Sequence, residues 1–307
     1  MKELLVISGK GGTGKTSVVA SFAALAENKV LVDCDVDAAD LHLLLSPEVV
    51  ESHEFMASRQ ATVDVSRCTG CGHCSEVCRF GAIAMAYGHP TIDPISCEGC
   101  TVCSHICPEG AITMVDVMSG HWYVSHTRFG PMVHAKLKAA EENSGKLVSQ
   151  VRRKAREIAE SQGHELIITD GPPGVGCPVI SSISGVDLAL IVTEPTVAGV
   201  HDMERVLDLT CHFGVESAVC INKCDLDGAN AERIEDYCCA RGIEIAGKIP
   251  FDEDMVRAVV RGEPPVLYGD GAPDCAGPDS VAGEAAQAIR QLWDRVAVLL
   301  ARDAGSF

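Results

Sequence analysis

The sequence predicts an α/β fold, with a doubly wound and mostly parallel sheet interrupted by a small α+β insertion. Apolar strands such as residues 4–7 and 165–170 alternate with helical stretches, which is typical of a sheet with helices on both faces. Two cysteine-rich runs break this alternation. We therefore expect residues 1–59 and 116–307 to form the two parts of one domain, with residues 60–115 as a domain inserted between them.

Composition and charge narrow the functional classes. Hydrophobic residues make up 47% of the 307 residues, enough for a full core. The net charge of −18 argues against a nucleic-acid partner and against anionic lipid surfaces. No apolar run approaches the roughly 20 residues of a membrane span, so no membrane insertion is expected. No signal peptide is recognisable, and sixteen cysteines without one predict metal or redox chemistry in a reducing cytoplasm.

A glycine-rich loop follows the first strand and leads into an apolar helix. Strand, glycine turn and helix in this order are the context of a phosphate-binding P-loop, whose backbone N–H groups face the phosphate oxygens. Lys15 is expected to reach the β- and γ-phosphates, and the Thr16 hydroxyl to hold Mg²⁺. The predicted nucleotide loop consists of Gly9, Lys10, Gly11, Gly12, Thr13, Gly14, Lys15 and Thr16.

The first lysine of this loop points to a family. A general P-loop does not need Lys10, and the motif GKGGTGKT resembles the deviant Walker motif of the MinD/Mrp/ParA superfamily, which includes the nitrogenase iron protein. The resemblance implies an ATPase that works as a homodimer, or as a heterodimer with a related ATPase. It also implies that Lys10 crosses the dimer interface to the other subunit's nucleotide, so that hydrolysis is slow and requires the dimer.

Carboxylates follow two of the predicted buried strands. The segment after the second strand resembles switch I of the superfamily, which makes Asp35 the residue that positions the attacking water near Mg²⁺, with Asp33 and Asp37 in support. Asp170, at the start of the segment DGPPG, resembles the switch II aspartate that meets Mg²⁺ through water. Without the family, aspartates at strand ends are most often solvated turns.

The base of the nucleotide is expected to lie near the segment NKCD, after the fifth strand. Taken alone, this pattern fits guanine, with Asp225 on the base. In the MinD/Mrp group the residue that matches Asn222 contacts adenine, so the resemblance favours ATP. Residues 247–252 resemble the short strand and loop that close over the base.

The insertion contains two copies of the pattern C-x2-C-x2-C-x3-C, each closing on Gly-Ala-Ile. This is the spacing of bacterial two-cluster ferredoxins, in which three close thiolates bind one 4Fe–4S cluster and the distal cysteine ligates the other. Zinc prefers cysteine pairs with a longer loop between them, and a c-type haem needs histidine directly after C-x-x-C. Arg79 stands where the pattern would have proline. The predicted ligands are Cys68, Cys71, Cys74 and Cys107 for cluster 1, and Cys97, Cys100, Cys103 and Cys78 for cluster 2.

One further cysteine is a candidate metal ligand. Cys177 stands seven residues past Asp170, the offset at which the nitrogenase iron protein has a cysteine that holds a cluster shared by two subunits. The resemblance therefore makes Cys177 a possible bridging ligand at a dimer axis. The alternative is a small buried cysteine that only packs.

Three other elements complete the expected fold. Residues 119–125 are predicted to be an edge strand, and residues 144–161 an amphipathic helix with Val148 and Val151 on its apolar side. The last helix, about residues 281–301, is expected to pack on the sheet and not to bind a membrane as the MinD C-terminal helix does. Residues 263–280 read as a loop.

Two functional classes follow from these patterns. In the first, ATP binding closes a dimer, and electrons pass through the two clusters to an electron-transfer partner. In the second, the chain is a cluster carrier of the Mrp type that delivers a cluster to an accepting protein. The Mrp carriers use a C-x-x-C pair outside any ferredoxin, which this chain lacks, so the redox interpretation is favoured. A MinD/ParA-like positioning ATPase is the third possibility, and it leaves the cysteine runs unexplained.

Overall fold

The structure is a computed structural model of the 307-residue chain, and it describes residues 1–138, 144–268 and 283–302. The described chain forms two compact units. The first unit contains Met1–Ser52, Trp122–Lys136 and the described part of Ser144–Phe307. The second contains His53–His121 together with Leu137 and Lys138.

Strands and helices alternate along most of the chain. The strands are β1 (Lys2–Ser8), β2 (Lys29–Asp33), β3 (Glu48–Val63), β4 (Ile83–Ala86), β5 (His89–Ile92), β6 (Ile112–Thr127), β7 (Gly130–Leu137), β8 (Leu166–Pro173), β9 (Leu188–Thr193), β10 (Glu216–Asn222) and β11 (Glu244–Ile249). The helices are α1 (Lys15–Leu25), α2 (Leu41–Leu45), α3 (His73–Val77), α4 (Val102–Ile106), α5 (Ser144–Gln162), α6 (Cys177–Ile183), α7 (Val197–His212), α8 (Gly228–Arg241), α9 (Glu253–Val260) and α10 (Glu284–Leu300).

A nine-stranded sheet has the order β11-β10-β9-β1-β8-β2-β7-β6-β3. The pairs from β11 across to β7 are all parallel. Only two residues separate β6 from β7, a connection that joins antiparallel neighbours. The predicted α/β fold with a mostly parallel sheet is therefore confirmed.

The two faces of the sheet bury separate cores, and β1 shows how. Leu4 and Val6 pack into one core together with α1 and α10. Leu5 and Ile7 point to the opposite face and pack with α6, α7 and α8. Because successive side chains of a strand point to opposite faces, a continuously apolar strand such as β1 requires helices on both sides.

The structure corrects one of the predicted elements. Residues 119–125 belong to β6, which has β7 on one side and β3 on the other, so the prediction of an edge strand is wrong. The edge strand on this side of the sheet is β3. Its first seven residues are exposed and largely polar, a pattern that gives little sign of a strand.

Two predicted helices are present. Helix α5 runs over Ser144–Gln162 and buries Val148 and Val151. Helix α10 packs on the sheet as predicted, with the Trp293 ring 5.0 Å from that of Phe22 on α1. The predicted start of α10 at residue 281 and most of the predicted loop 263–280 lie outside the described residues.

The second unit contains the tandem cysteine runs. The hairpin β4–β5 turns at Tyr87 and Gly88, both with positive φ, as a two-residue hairpin turn requires. The five-residue helices α3 and α4 each follow the second cysteine of a run. The predicted boundaries of the insertion at residues 60 and 115 fall within β3 and β6, the strands that enter and leave this unit.

In the three described ranges, no helix combines the length and the apolar character that crossing a membrane requires.

Candidate nucleotide site and cysteine cavities

Two glycines give the P-loop its curled shape. The loop lies between β1 and α1, and Gly12 and Gly14 have φ of 81° and 87°, a region that favours glycine. A Cβ on Gly14 would lie 2.3 Å from the Asn222 side-chain amide. The Thr13 hydroxyl is buried and has no hydrogen-bond partner among the described residues. Such a hydroxyl in a phosphate loop fits a ligand that supplies the missing bond.

Lys15 is buried among carboxylates from two other strands. Its Nζ lies 2.6 Å from Asp170 Oδ1 and 3.8 Å from Asp35 Oδ2. Burial alone would lower the Lys15 pKa, but the surrounding carboxylates outweigh burial, so the pKa lies above its ordinary value. Asp33 and Asp170 pair in register on β2 and β8, which brings these distant parts of the chain together.

The carboxylates also disfavour one another's ionised forms. Burial, and then the nearby Asp170, raises the pKa of Asp35 to about 6, although Lys15 opposes this. Burial and Asp170 likewise raise the pKa of Asp33 well above its ordinary value. Asp33 accepts hydrogen bonds from the backbone N–H groups of Asp35 and Leu41 and so fixes the turn after β2. One lysine thus faces three carboxylates, a balance that a second cation would improve.

Over residues 1–138, 144–268 and 283–302, no group of three or more His, Cys, Asp or Glu side chains could hold a metal ion. A P-loop magnesium does not need such a group, because Mg²⁺ keeps several waters and takes phosphate oxygens with one or two protein ligands. Thr16 is half-buried at the start of α1, and Asp35 lies beside Lys15. These two residues stay the predicted magnesium contacts.

Lys10 is held by a carboxylate that the sequence reasoning did not single out. Its Nζ lies 3.2 Å from Glu194 Oε2 and 3.4 Å from the Thr196 hydroxyl. The other Glu194 oxygen accepts a 2.5 Å hydrogen bond from Lys223 Nζ. Burial would raise the Glu194 pKa, but the hydrogen bonds from the two lysines outweigh it and lower the pKa. Glu194 follows β9 directly, so a carboxylate at a strand end was the available signal.

A largely apolar cavity lies between the P-loop and α9. Asn222 lines it but donates its side-chain amide to the Thr13 carbonyl at 2.7 Å. Asp225 is not among the lining residues, and its Oδ1 instead accepts from the Phe251 N–H at 2.7 Å. Helix α9 forms an apolar wall of this cavity that the sequence did not predict. Several apolar residues of α9 are exposed because they line the cavity. That wall is formed by Met255, Val256, Val259 and Val260.

The eight cysteines of the tandem runs line two separate cavities. We call them cavity 1 and cavity 2. Each is lined by three cysteines of one run and the distal cysteine of the other run. Cavity 1 is lined by Cys68, Cys71, Cys74 and Cys107, and cavity 2 by Cys97, Cys100, Cys103 and Cys78.

The two runs adopt the same backbone conformation at a constant offset of 29 residues. Gly70 and Gly72 in the first run have positive φ, and so do Gly99 and Thr101 in the second. A Cβ on Gly70 would lie 2.2 Å from a backbone oxygen, which explains the glycine. The sequence repeat is therefore also a repeat in backbone structure.

The runs exchange backbone hydrogen bonds in a matched way. Asp64, before the first run, donates its N–H to the Ala111 carbonyl at 2.8 Å. At the equivalent positions, Asp93 donates to the Ala82 carbonyl at 2.7 Å. Because each run is tied to the end of the other, the fourth cysteine of each run is carried to the opposite cavity.

The profile of the CobQ/CobB/MinD/ParA nucleotide-binding domain matches residues 4–266. The chain belongs to this family. A relative from Methanocaldococcus jannaschii, the uncharacterized protein MJ0578, is 36% identical over 260 residues, which cover 84% of this chain and 87% of the relative.

Solved structures show the same fold. The cell division ATPase MinD of Pyrococcus furiosus matches with a TM-score of 0.56 and 18% identity, covering 97% of this chain and 99% of MinD. MinD of Pyrococcus horikoshii, complexed with Mg-ADP, matches with a TM-score of 0.55 and 17% identity, covering 98% and 99% of the two chains.

As a member of the CobQ/CobB/MinD/ParA family, the chain is a nucleotide-binding protein, and the structure gathers most of the predicted nucleotide residues. Lys15, Asp35 and Asp170 lie within one cluster beside the P-loop. Asn222 adjoins the apolar cavity, whereas Asp225 holds the loop that follows β11.

The structure places Cys177 at the surface. It is the first residue of α6 and is exposed, so the expectation of a buried packing cysteine is wrong. The inward positions of α6 are taken by Val179 and Ile183. A bridging metal at Cys177 stays a prediction.

Proposed function

We propose that this chain is an ATP-hydrolysing iron–sulfur protein in which nucleotide-gated dimer closure is coupled to electron transfer through two 4Fe–4S clusters. The observation that carries the proposal is the pair of four-cysteine cavities with exchanged fourth ligands. A fourth cysteine supplied by the other run is the ligand arrangement of two-cluster ferredoxins. The family membership supplies the nucleotide half of the proposal.

The donor chemistry of both cavities fits an iron–sulfur cluster. Thiolates are the usual ligands of such clusters, and each cavity offers four. Among the described residues, no three such side chains converge on a single ion. This is compatible with a cluster, which binds each thiolate through a different iron, so that the sulfurs surround a space and do not meet at one point. The Ala111 N–H donates to Cys107 Sγ at 3.3 Å, and such bonds tune cluster potential. When bound, each cluster would accept and release one electron.

The nucleotide half follows from the lysines and carboxylates. Phosphate oxygens would compete with Asp170 for Lys15, and the released carboxylates would face Mg²⁺ and its waters. Asp35 is proposed to orient the attacking water. Lys10 is proposed to leave Glu194 and reach the nucleotide of a second subunit. The apolar cavity beside Asn222 suits adenine, so ATP is expected to bind more tightly than GTP.

The first test concerns the clusters. Protein purified without oxygen should contain about eight irons per chain, since eight cysteines line the two cavities. Cys107→Ala should damage the cluster held by the first run, and Cys78→Ala the cluster held by the second, because their side chains line the opposite cavities. Iron and sulfide analysis with EPR of the reduced protein makes the measurement.

Cys239→Ala is the matched control, because Cys239 is an exposed cysteine on α8, outside both cavities. It should leave both EPR signals intact. One or two zinc ions per chain, with no EPR signal after reduction, would contradict the cluster proposal.

A cluster carrier is the second candidate, and the exposure of Cys71 and Cys100 favours it, since one ligand of each cavity is open to an acceptor. Transfer of iron and sulfide to an apo-acceptor that requires ATP would select this function. Retention of the clusters during ATP turnover would select electron transfer.

A positioning ATPase is the third candidate, because the solved relatives include cell division ATPases. The apolar side of α10 packs in the core, so this helix does not offer that side to a membrane surface. ATP-dependent binding to anionic phospholipid vesicles would favour this function over the other two.

A further inference from the structure

The two cysteine cavities share a backbone but differ at their rims. At two positions related by the repeat, cavity 2 has Arg79 and Phe80 where cavity 1 has Pro108 and Glu109. These pairs directly follow the fourth cysteines, Cys78 and Cys107. The two runs therefore share φ angles and hydrogen bonds, but their cavities have chemically different openings.

Cavity 2 has the more apolar opening. Phe80 is 41% exposed and Val102 is 49% exposed, and both line cavity 2. The position equivalent to Val102 is His73 in cavity 1, so both rim positions are polar there. Exposed apolar side chains grouped at one site mark interaction surfaces.

Arg79 adds an unpaired cation to this opening. Residues 53–121 contain seven acidic residues, three arginines and no lysine. Arg59 pairs with Asp116 at 3.3 Å, and Arg67 donates to the Glu109 carbonyl at 2.6 Å. Arg79 is exposed, lies 5.9 Å from its neighbour's ring, and has no carboxylate partner in the part of the chain that the structure describes. A carboxylate from another molecule could therefore form an ion pair with Arg79.

We propose that the rim of cavity 2, formed by Arg79, Phe80 and Val102, is the docking surface through which a redox protein exchanges electrons with this chain. The inference rests on the proposed function and identifies the partner's chemistry: a small acidic electron-transfer protein whose contact patch is apolar and carries carboxylates. In each encounter the partner would lose one electron, and a cluster held by the four cysteines of cavity 2 would gain it, with no bond made or broken.

The charge of the whole chain does not oppose this partner at the contact. The net charge is −18, but at physiological ionic strength charges farther than about 8 Å are largely screened. Arg79 and the exposed Glu98 both line cavity 2, so the attraction for a partner's carboxylate is confined to short range around Arg79 and the rest of the contact is apolar. Local charge complementarity of this kind governs association rate and orientation more than net charge does.

The test uses reduced flavodoxin, a small acidic flavoprotein, as the probe and anaerobic stopped-flow absorbance as the readout. Arg79→Gln should lower the second-order rate constant for reduction about fivefold to tenfold at low salt, and the loss should shrink as salt rises. Calorimetry with both proteins oxidised should show a weakening of binding of similar size, without electron flow. The matched control is Arg67→Gln, which removes the same charge from the same unit on the side of cavity 1 and should change the rate less than about twofold.

Iron content, EPR of both clusters and reduction by the small methyl viologen radical check that each variant keeps its clusters. Protein without clusters would defeat the proposed function. Intact clusters with equal rates for wild type and Arg79→Gln, or with equal loss in Arg67→Gln, would overturn the docking surface alone. Self-association of the chain that Arg79→Gln abolishes, with no flavodoxin binding, would overturn the choice of partner.

Discussion

At the scale of single residues, the nucleotide site is a set of lysines held by carboxylates. Lys15 contacts Asp170, while Lys10 and Lys223 share Glu194. Nucleotide phosphates are anions, so they compete with these carboxylates for the lysines. The ion pairs therefore stabilise the nucleotide-free state, and breaking one should favour the state in which its lysine binds elsewhere.

Glu194→Gln tests this for Lys10. The pair is partly exposed and is worth about 1 kcal/mol in each chain. A homodimer breaks it twice, so Glu194→Gln should strengthen ATP-dependent dimerisation about thirtyfold. Sedimentation velocity over an ATP titration measures the change. Asp208→Asn, which removes an exposed pair with Arg241 on other helices, should leave dimerisation unchanged. Weaker dimerisation in Glu194→Gln would show that Glu194 supports the closed state instead.

His134 offers a second prediction at this scale, on stability. On β7 it shares a 2.8 Å hydrogen bond with the Ser125 hydroxyl and stacks on Tyr123. Burial, and then the nearby His42, lowers the pKa of His134 to about 4 from 6.5. Between pH 6.5 and pH 4 the unfolded chain binds a proton at His134 that the folded protein does not bind. The contribution of His134 to stability therefore falls as the pH drops towards 4.

His134→Gln should remove that dependence. The free energy of unfolding of wild type relative to the variant should fall by about 2 kcal/mol from pH 7 to pH 4. Urea unfolding at several pH values gives the difference. Asp35 acts in the opposite sense, because its raised pKa makes the folded state bind the extra proton, but this effect cancels between the two proteins. Curves of unfolding free energy against pH that stay parallel for wild type and variant would contradict the lowered pKa of His134.

At the scale of elements, one buried arginine joins a strand to two helices. Arg152 on α5 contacts Glu3 on β1 at 2.7 Å and donates to the Ser181 and Ser184 carbonyls at the end of α6. Arg152 and Glu3 are each 6% exposed. Arg156 on the same helix also binds Glu3, so removing Arg152 leaves Glu3 with one cation instead of two and leaves both serine carbonyls without their donor.

Arg152→Ala should therefore lower the free energy of unfolding by about 2 kcal/mol. Chemical denaturation followed by circular dichroism measures it. Arg153→Ala, on the neighbouring exposed position of the same helix, loses a surface pair with Glu157 and an exposed hydrogen bond to Gln150, and should cost less than about 0.5 kcal/mol. Equal losses in the two variants would show that the Glu3 contact contributes nothing.

The sequence predicted elements whose own residues carry a local signal. The apolar β1 and the glycines of the P-loop are such elements, and so is the C-x2-C spacing. It did not predict β3, because an exposed polar strand lacks the alternation of a half-buried one. It did not predict the wall of α9 either, because the apolar side of an eight-residue helix does not show whether it faces the core or a cavity. It could not assign Glu194 to Lys10, since the pair joins loops 184 positions apart in sequence and depends on the strand order.

At the scale of the whole molecule, the proposed role of Lys10 predicts that activity belongs to a dimer. Within one chain, Lys15 faces Asp35 and Asp170, the carboxylates of the proposed magnesium site, whereas Lys10 faces Glu194. Lys15 can therefore act on its own chain's nucleotide. The proposed role of Lys10 is on the nucleotide of the second subunit, so substitutions of the two lysines should have different effects.

Lys10→Ala should bind ATP with nearly the wild-type affinity but remain monomeric with ATP and lose most of its hydrolysis. Lys15→Ala should lose Mg-ATP binding, since it removes the phosphate-contacting charge, and its folding must be checked because it leaves Asp170 buried without its partner. Calorimetry, sedimentation velocity and phosphate release separate binding, assembly and turnover. A Lys10→Ala monomer that hydrolyses ATP at the wild-type rate would exclude a role for Lys10 across an interface, because turnover would then need only one chain.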